Sequence, residues 1–304
     1  MNESTSPGGR RPTGHNRQSP YLPPMILPYT KMSGAGNMFI VIEGRCLPEG
    51  TDPGPLAPSL CDAGHEHGGA DGLIVIDATD GADFAMRYYN RDGSTGMMCG
   101  NGGRCAVGFA AEHGYVRDPS SVTFTNAGVG YRGAITDRGA KVWFPDPRAF
   151  ALGLEVELEG SMRRCHFADV GTPHAIMFVD EAGDDRIEHV GDVDLPRWGA
   201  SLRHQARFAP DGANANFVEV RGNDVLLRTF ERGVEAETGA CGTGAISSAL
   251  VAAMLRGLTP PIDVTTTSGE VLRVDFRLEG DHATDVSLEG SADVEMTGEI
   301  GLAW

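Results

Sequence analysis

Cys99-Gly100-Asn101-Gly102 and Cys241-Gly242-Thr243-Gly244 are two copies of one phrase, one in each half of the chain. The same interval separates a second pair of segments, Val122-Thr123-Phe124-Thr125 and Val264-Thr265-Thr266-Thr267. A sequence that repeats itself once indicates two copies of one structural unit. With a cysteine at the same point of each copy, the repeat predicts two half-sites that face one ligand.

Each phrase leads into a segment with the pattern of a buried helix. Residues 104–112 and 245–256 are mostly small or apolar around the whole circumference, and Gly114 and Gly257 mark where the helices stop. A helix that is apolar on every side is buried rather than laid on a surface. We therefore predict an α/β (α+β) fold with two pseudo-symmetric domains, each a mixed or antiparallel β-sheet curled around one central helix.

Strand patterns fill much of the remaining sequence. Residues 73–76 and 84–89 are β-rich runs on either side of an Asp80-Gly81 turn. Residues 217–220 and 225–228 flank the turn sequence Arg221-Gly222-Asn223-Asp224 and predict a hairpin. Residues 131–144 and 271–288 predict further antiparallel pairing.

The two cysteines are predicted to lie at the N-termini of the two helices. Such an end presents unpaired backbone N–H groups and about half a positive charge, which favours a thiolate and lowers its pKa below about 8.5. The glycines leave these N–H groups uncovered, so the same ends form a cradle for a carboxylate. Two thiols on opposite sides of one carbon suit the inversion of a stereocentre by two acid–base groups.

Composition limits the partners and the compartment. The chain has 304 residues and a net charge of −17, which argues against nucleic acid or an anionic membrane surface as a partner. No apolar run approaches the ~20 residues that span a bilayer. Six cysteines are too few for a disulfide scaffold, and working thiols must stay reduced, which favours the cytoplasm.

The expected domain organisation follows from the repeat. Residues 1–28 are rich in Ser, Thr, Pro, Gly and Arg and predict a disordered tail. Residues 29–147 form the N-terminal half, with a C-terminal return at about 288–304, and residues 148–287 form the C-terminal half.

Six ordered motifs resemble diaminopimelate epimerase, and the resemblance covers the chain from about Tyr29 to the C-terminus. The motifs are Lys31-Met32-Ser33-Gly34-Ala35-Gly36-Asn37-Met38-Phe39, Asn90-Arg91-Asp92-Gly93-Ser94, Cys99-Gly100-Asn101-Gly102-Gly103-Arg104-Cys105, Gly171-Thr172-Pro173-His174, Asn214-Ala215-Asn216-Phe217, and Glu231-Arg232-Gly233 leading to Ala240-Cys241-Gly242-Thr243-Gly244.

The resemblance implies a pyridoxal-independent isomerase, without a cofactor or metal, that interconverts LL-2,6-diaminopimelate and meso-diaminopimelate for lysine and peptidoglycan synthesis. It also implies a homodimer. Carried over by matching position, Cys99 and Cys241 are the catalytic pair, and His174 and Glu231 sit beside the reacting amino group. The residues implied to bind the substrate are Asn37, Asn90, Gly100, Asn101, Thr172, Asn214, Glu231, Arg232, Gly242 and Thr243, with Arg232 on the distal carboxylate.

Two positions depart from the family pattern. The family usually has Asp where this chain has Met38, and often Asn where it has Thr172. Thr172 still offers a hydrogen bond, whereas Met38 removes a polar group beside Asn37. Related enzymes of the same fold act on proline, hydroxyproline or histidine, and a racemase for one of these is the alternative reading.

Other classes of protein predict different chemistry. A pyridoxal-dependent racemase needs a Schiff-base lysine, and only Lys31 and Lys141 are available. A non-enzymatic redox or metal-binding protein would use Cys99 with Cys105, or Cys61 with His65 and His67. The first pair has a spacing that differs from the usual zinc patterns, and the second group lies in a segment predicted to be a solvated helix end.

Overall fold

The computed structural model describes residues 25–65, 68–95, 98–181 and 187–302. The first half of this part contains seven strands and two helices, in the order β1 (Met25–Gly34), β2 (Asn37–Glu43), α1 (Ala57–Leu60), β3 (Gly72–Asp77), β4 (Phe84–Asn90), α2 (Gly100–Glu112), β5 (Val122–Asn126), β6 (Val129–Thr136) and β7 (Gly139–Trp143).

The second half adds ten strands and two helices within the described ranges. They are β8 (Ala149–Leu158), β9 (Ser161–Asp169), β10 (Pro173–Phe178), α3 (Leu195–Arg203), β11 (Asn214–Arg221), β12 (Asp224–Glu231), β13 (Ala236–Thr238), α4 (Gly242–Arg256), β14 (Ile262–Thr265), β15 (Val271–Glu279), β16 (His282–Gly290) and β17 (Asp293–Leu302). The predicted hairpin is confirmed, because β11 and β12 pair with Arg221 opposite Asp224.

One pattern of strand pairing occurs twice. In the first half, β1–β2, β3–β4, β5–β6 and β6–β7 are antiparallel, whereas β2–β3 and β4–β5 are parallel. In the second half, β9–β10, β11–β12, β14–β15 and β15–β16 are antiparallel, whereas β10–β11 and β12–β14 are parallel. The mixed, repeated architecture predicted from the sequence is therefore confirmed.

The two repeats are joined edge to edge. Strands β7 and β16 pair antiparallel, with Val142 opposite Leu288 and Ala140 opposite Gly290. After β16 the chain returns to the first repeat, where β17 pairs with β1. The returning strand spans Asp293–Leu302, so residues 288–290 belong to β16. The domain boundaries themselves remain a prediction.

The helices α2 and α4 are the centres of the two repeats. Side chains along both helices are buried, and they share one apolar core with the surrounding strands. Both helices begin one turn earlier than the apolar pattern predicted, at Gly100 and Gly242, while α4 ends on Gly257 with a left-handed φ of 69°. No helix in the described ranges is long and apolar enough to cross a membrane.

The disordered tail predicted for residues 1–28 is too long at its C-terminal end. Strand β1 begins at Met25, and Leu27 is fully buried opposite Ile300 of β17. Residues 25–28 therefore belong to the sheet, because Leu27 and Tyr29 alternate toward an apolar cluster. Residues 1–24 lie outside the described part of the chain.

Candidate active site

The N-termini of α2 and α4 meet at the junction of the two repeats. A Cβ atom built on Gly242 would lie 3.5 Å from the Cα atom of Gly100 and 2.9 Å from Cδ2 of Leu288. A methyl group at Gly242 would already contact the Gly100 backbone and press on the Leu288 side chain, so the two helix ends lie close together here. The structure thereby brings the two predicted half-sites together.

Each cysteine occupies the N-cap position of its helix. The Cys99 sulfur accepts a hydrogen bond from the backbone N–H of Gly102 at 3.5 Å, and the Cys241 sulfur lies 3.6 Å from Oγ1 of Thr243. Cys241 is buried, and Cys99 is half-buried. The predicted placement of the thiols at two helix N-termini is confirmed.

The predicted effect on thiol acidity is wrong. Burial raises the pKa of Cys99 and of Cys241, and the nearby Glu231 carboxylate raises both further. The N–H of Gly102 at Cys99 and the hydroxyl of Thr243 at Cys241 act in the opposite direction. Removing a thiolate from water therefore outweighs the stabilisation that the helix ends provide.

An amide network fixes the α2 side of the site. The Asn101 side-chain nitrogen donates to Oδ1 of Asn37 at 2.6 Å and to the Ala240 carbonyl at 3.3 Å, which links the two repeats. Asn37 in turn donates to the Asp71 carboxylate at 3.3 Å. Oδ1 of Asn101 is buried and has no hydrogen-bond partner among the described residues, and it is 3.3 Å from a Cβ atom built on Gly242.

His174 occupies the corresponding position on the α4 side. It is fully buried, and its Nε2 atom lies 3.0 Å from Oγ1 of Thr243 and 3.4 Å from Nδ2 of Asn214. Its Nδ1 atom lies 3.4 Å from Oδ1 of Asn216. Burial lowers the pKa of His174 to about 4, so the imidazole is neutral at neutral pH.

Glu231 and Arg232 follow one another at the end of β12. The backbone N–H of Arg232 donates to Oδ1 of Asn214 at 2.7 Å, which fixes the turn against β11. Burial raises the pKa of the Glu231 carboxyl, and the neighbouring Asp71 carboxylate raises it further. Arg203 anchors the same turn through Glu235 at 3.2 Å.

Two predicted substrate-binding residues, Asn90 and Thr172, lie at turns of the chain. Asn90 closes its own turn by donating from Nδ2 to Oγ of Ser94 at 2.9 Å. Thr172 lies in the turn before β10, where its carbonyl accepts from the Val170 N–H at 3.4 Å. Thr172 leads directly into the strand that carries His174.

The departure at Met38 lies on the opposite face of β2 from the amide network. Met38 packs against the apolar cluster that contains Leu27 and Ile40, whereas the Asn37 side chain contacts Asn101. Successive side chains of a strand point to opposite faces. The Asp71 carboxylate also accepts the Met38 backbone N–H at 2.9 Å, a contact that any side chain at position 38 permits.

Sequence reasoning missed three residues beside the site. Asp71 holds Asn37, Asn216 contacts His174, and Arg104 is fully buried on α2, where Nε donates to the Ser291 carbonyl at 3.2 Å. Asn216 and Arg104 lie within the recognised motifs, and their polar character within buried segments was the available signal. Asp71 precedes β3 and carries no comparable local signal.

The metal-binding alternatives gain no support from the described residues. Within those ranges no three His, Cys, Asp or Glu side chains form a group that could hold a metal ion. Cys61 is buried, and burial raises the pKa of its thiol to about 11. His67, the third member of that predicted group, lies outside the described ranges.

Solved structures with the same architecture define the class. A proline racemase from Agrobacterium radiobacter K84 matches with a TM-score of 0.66 at 16% identity, covering 91% of this chain and 93% of that one. A hydroxyproline epimerase from Agrobacterium vitis gives the same four values. The chain thus has the two-repeat fold found in these racemases and epimerases.

Sequence comparison identifies the family. The diaminopimelate epimerase profile matches residues 29–132 and 166–293. The diaminopimelate epimerase of Chlorobaculum tepidum is 37% identical over 284 residues, which cover 89% of this chain and all of that one. That of Aquifex aeolicus is 37% identical over 277 residues, covering 86% and 94%. The chain belongs to the diaminopimelate epimerase family, as its motifs predicted.

Proposed function

We propose that the protein is an isomerase that interconverts LL-2,6-diaminopimelate and meso-diaminopimelate by a two-thiol mechanism. The observation that carries the proposal is the meeting of two cysteine-capped helix N-termini at Gly100 and Gly242, in a chain of this family. The relatives named above are diaminopimelate epimerases, which supports the choice of substrate.

The helix ends suit the reacting carboxylate. The first turns of α2 and α4 meet at Gly100 and Gly242, and we assign Gly100, Asn101, Gly242 and Thr243 to the reacting carboxylate. Anions bind at helix N-termini because the N–H groups there have no helical partner. These donors also stabilise the negative charge that spreads onto the carboxylate when the α-proton leaves.

The chemistry requires one thiolate and one thiol. The thiolate removes the α-proton from one face of the carbon, and the thiol delivers its own proton to the other face. This exchange inverts the stereocentre and leaves the two sulfurs with their protonation states exchanged. The reverse reaction uses the same two groups in the opposite roles, so no cofactor is required.

The remaining side chains are assigned to the substrate. We place neutral His174 and buried Glu231 beside the α-amino group, and the Arg232 guanidinium on the distal carboxylate, to which its planar fork is suited. Asn37, Asn90, Thr172 and Asn214 complete the binding set. We further propose a cytoplasmic homodimer, in keeping with thiols that must stay reduced.

Proton exchange tests the proposal directly. The purified protein is incubated in deuterated water with LL-diaminopimelate, proline, hydroxyproline, histidine and lysine separately. Diaminopimelate is expected to react, with product acquiring deuterium almost completely at early time and recovered substrate acquiring little. A higher kcat/KM for any of the others would replace the substrate assignment, and early deuterium in recovered substrate would contradict the two-thiol scheme.

A further inference from the structure

Asn216 is a fully buried asparagine on β11, between His174 and α4. Its Nδ2 atom lies 3.2 Å from the Gly244 carbonyl oxygen and 3.2 Å from Oγ of Ser248. Its Oδ1 atom lies 3.2 Å from Oγ1 of Thr229 and 3.4 Å from Nδ1 of His174. Every polar atom of this amide therefore has a partner.

The Gly244 carbonyl fixes which end of the Asn216 amide faces His174. A carbonyl oxygen only accepts hydrogen bonds, so the amide nitrogen must point to Gly244 and the amide oxygen to His174. The reversed amide would place two acceptors 3.2 Å apart in a buried site. Such a site penalises unpaired polar groups.

The orientation of Asn216 then fixes the His174 tautomer. Oδ1 of Asn216 is an acceptor, so Nδ1 of His174 must carry the proton and donate it. In a neutral imidazole the other nitrogen, Nε2, is then an acceptor. The Asn214 amide supports this assignment independently, because Nδ2, a donor, lies 3.4 Å from Nε2. The low pKa of His174 agrees with a neutral ring.

The donor-to-acceptor direction of these hydrogen bonds also determines the contact with Cys241. Nε2 of His174 accepts the hydroxyl proton of Thr243 at 3.0 Å, so Oγ1 of Thr243 presents its lone pairs to Cys241 at 3.6 Å. The partner that completes this contact is a thiol S–H. The Cys99 sulfur accepts the Gly102 N–H, a donor that suits a thiolate. The Gly244 N–H acts on Cys241 in the same sense, so the Thr243 hydroxyl is the neighbour that distinguishes the two sulfurs.

We propose that Asn216 is a positioning residue that sets the Nδ1–H tautomer of His174 and, through Thr243, keeps Cys241 a thiol, so that Cys99 is the first of the two sulfurs to ionise. The inference rests on the proposed function for its catalytic meaning. When Cys241 gives its proton to the carbanion, the Thr243 hydroxyl turns to the new thiolate, and Nε2 of His174 keeps the Asn214 amide as its donor.

Imidazole ¹⁵N NMR tests the tautomer, and ¹³Cβ labelling of cysteine tests the thiol. The parent protein should show a protonated Nδ1 and an unprotonated Nε2 for His174, assigned with His174→Gln. Cysteine ¹³Cβ shifts, assigned with Cys99→Ser and Cys241→Ser and followed as the pH is raised, should show Cys99 ionising at a lower pH than Cys241. An Nε2–H tautomer, or ionisation of Cys241 before Cys99, would overturn the inference.

Two variants separate positioning from packing. Asn216→Ala should lose the single tautomer and lower kcat at least about tenfold. Asn216→Asp, which keeps an oxygen toward Nδ1, should retain the Nδ1–H signal and more of the activity. Ser248→Ala is the matched control, since it removes a partner on the amide side and leaves the Gly244 anchor. An unchanged tautomer in a folded Asn216→Ala protein would refute the role of this side chain.

The NMR results are independent of turnover. If the protein epimerises diaminopimelate but His174 carries its proton on Nε2, this inference is wrong and the proposed function is unaffected. If His174 carries its proton on Nδ1 but the protein epimerises none of the tested amino acids, the tautomer assignment holds and the proposed function is wrong.

Discussion

The two half-sites share one fold and differ in their chemistry. On the α2 side, Cys99 contacts a backbone N–H, and an amide–carboxylate network from Asn101 through Asn37 to Asp71 lies beside it. On the α4 side, Cys241 contacts a hydroxyl that leads to an imidazole. The repeated topology thus places one sulfur at each helix end, and we propose that their unequal neighbours decide which sulfur ionises first.

A buried cation strengthens the contrast. Arg104 on α2 occupies the position that Ile246 occupies on α4, five residues after the respective cysteine. Its guanidinium is fully buried and donates to the carbonyls of Ser291 and Gly100, at 3.2 and 3.4 Å. The Coulombic influence of Arg104 lowers the pKa of Cys99, although burial of the sulfur has the larger effect. Only the α2 half-site therefore has a cation of its own helix beneath its sulfur.

Removing either sulfur is the most direct test of whether both half-sites are needed for epimerisation. Cys99→Ala and Cys241→Ala should each lower epimerisation by at least about 100-fold, because each removes a positioned acid–base group. The measurement is the rate of LL to meso conversion, with α-proton washout followed separately for each stereoisomer. Each variant is expected to wash out only the isomer that its surviving thiol reaches.

Cys105→Ala is the control for this pair. Cys105 is a fully buried cysteine on α2 that faces the apolar core, so its loss should leave epimerisation close to the parent rate. Retention of more than about one hundredth of the parent rate in either active-site variant would contradict the two-thiol mechanism.

Oxidation tests whether the two half-sites lie close enough for their sulfurs to form a disulfide. Because the helix ends meet at Gly100 and Gly242, we expect mild oxidant to join Cys99 to Cys241 and inactivate the protein reversibly. Such a bond needs Cα atoms within about 7 Å. Peptide mapping should identify the pair and a reductant should restore activity, with Cys46→Ser as the control. Pairing of Cys99 with Cys105 instead would contradict the facing geometry.

Acid unfolding tests the buried histidine of the α4 half-site. The pKa of His174 is about 4 in the folded protein and about 6.5 when unfolded, so the unfolded chain binds more protons between these values. Stability is therefore full above pH 6.5 and falls as the pH is lowered toward 4, by up to about 3 kcal/mol.

Urea unfolding across this pH range measures the effect. His174→Gln should flatten the pH dependence, whereas His282→Gln, at an exposed position, should preserve it. Equal slopes for the parent and the His174→Gln protein would show that this imidazole does not titrate as its burial requires.

Truncation gives the smallest effect and concerns the α2 repeat alone. A chain that starts at Met25 should keep full activity and melting temperature, because β1 begins there. A chain that starts at Tyr29 loses the buried Leu27 and should be less stable by about 2 kcal/mol. Thermal melts compare the two. A loss of several degrees in the longer of them would show that residues 1–24 pack on the body.

Local sequence determined the repeat, the helices and the positions of the sulfurs. Apolar residues around 104–112 and 245–256 require burial, Gly257 ends α4 in a left-handed conformation, and the turn residues at 221–224 produce the hairpin. The family motifs were equally accessible, because each lies within about ten consecutive residues. These features depend on neighbours along the chain, which the sequence lists directly.

The tertiary structure alone decided how the sulfurs titrate and what surrounds them. The predicted fall in thiol pKa became a rise because desolvation depends on how completely the two repeats cover Cys99 and Cys241. The contact of Asn101 with Ala240, and of His174 with Thr243, joins segments far apart in sequence. Such contacts follow from the packing of β7 against β16 and of β10 against α4, which no local pattern encodes.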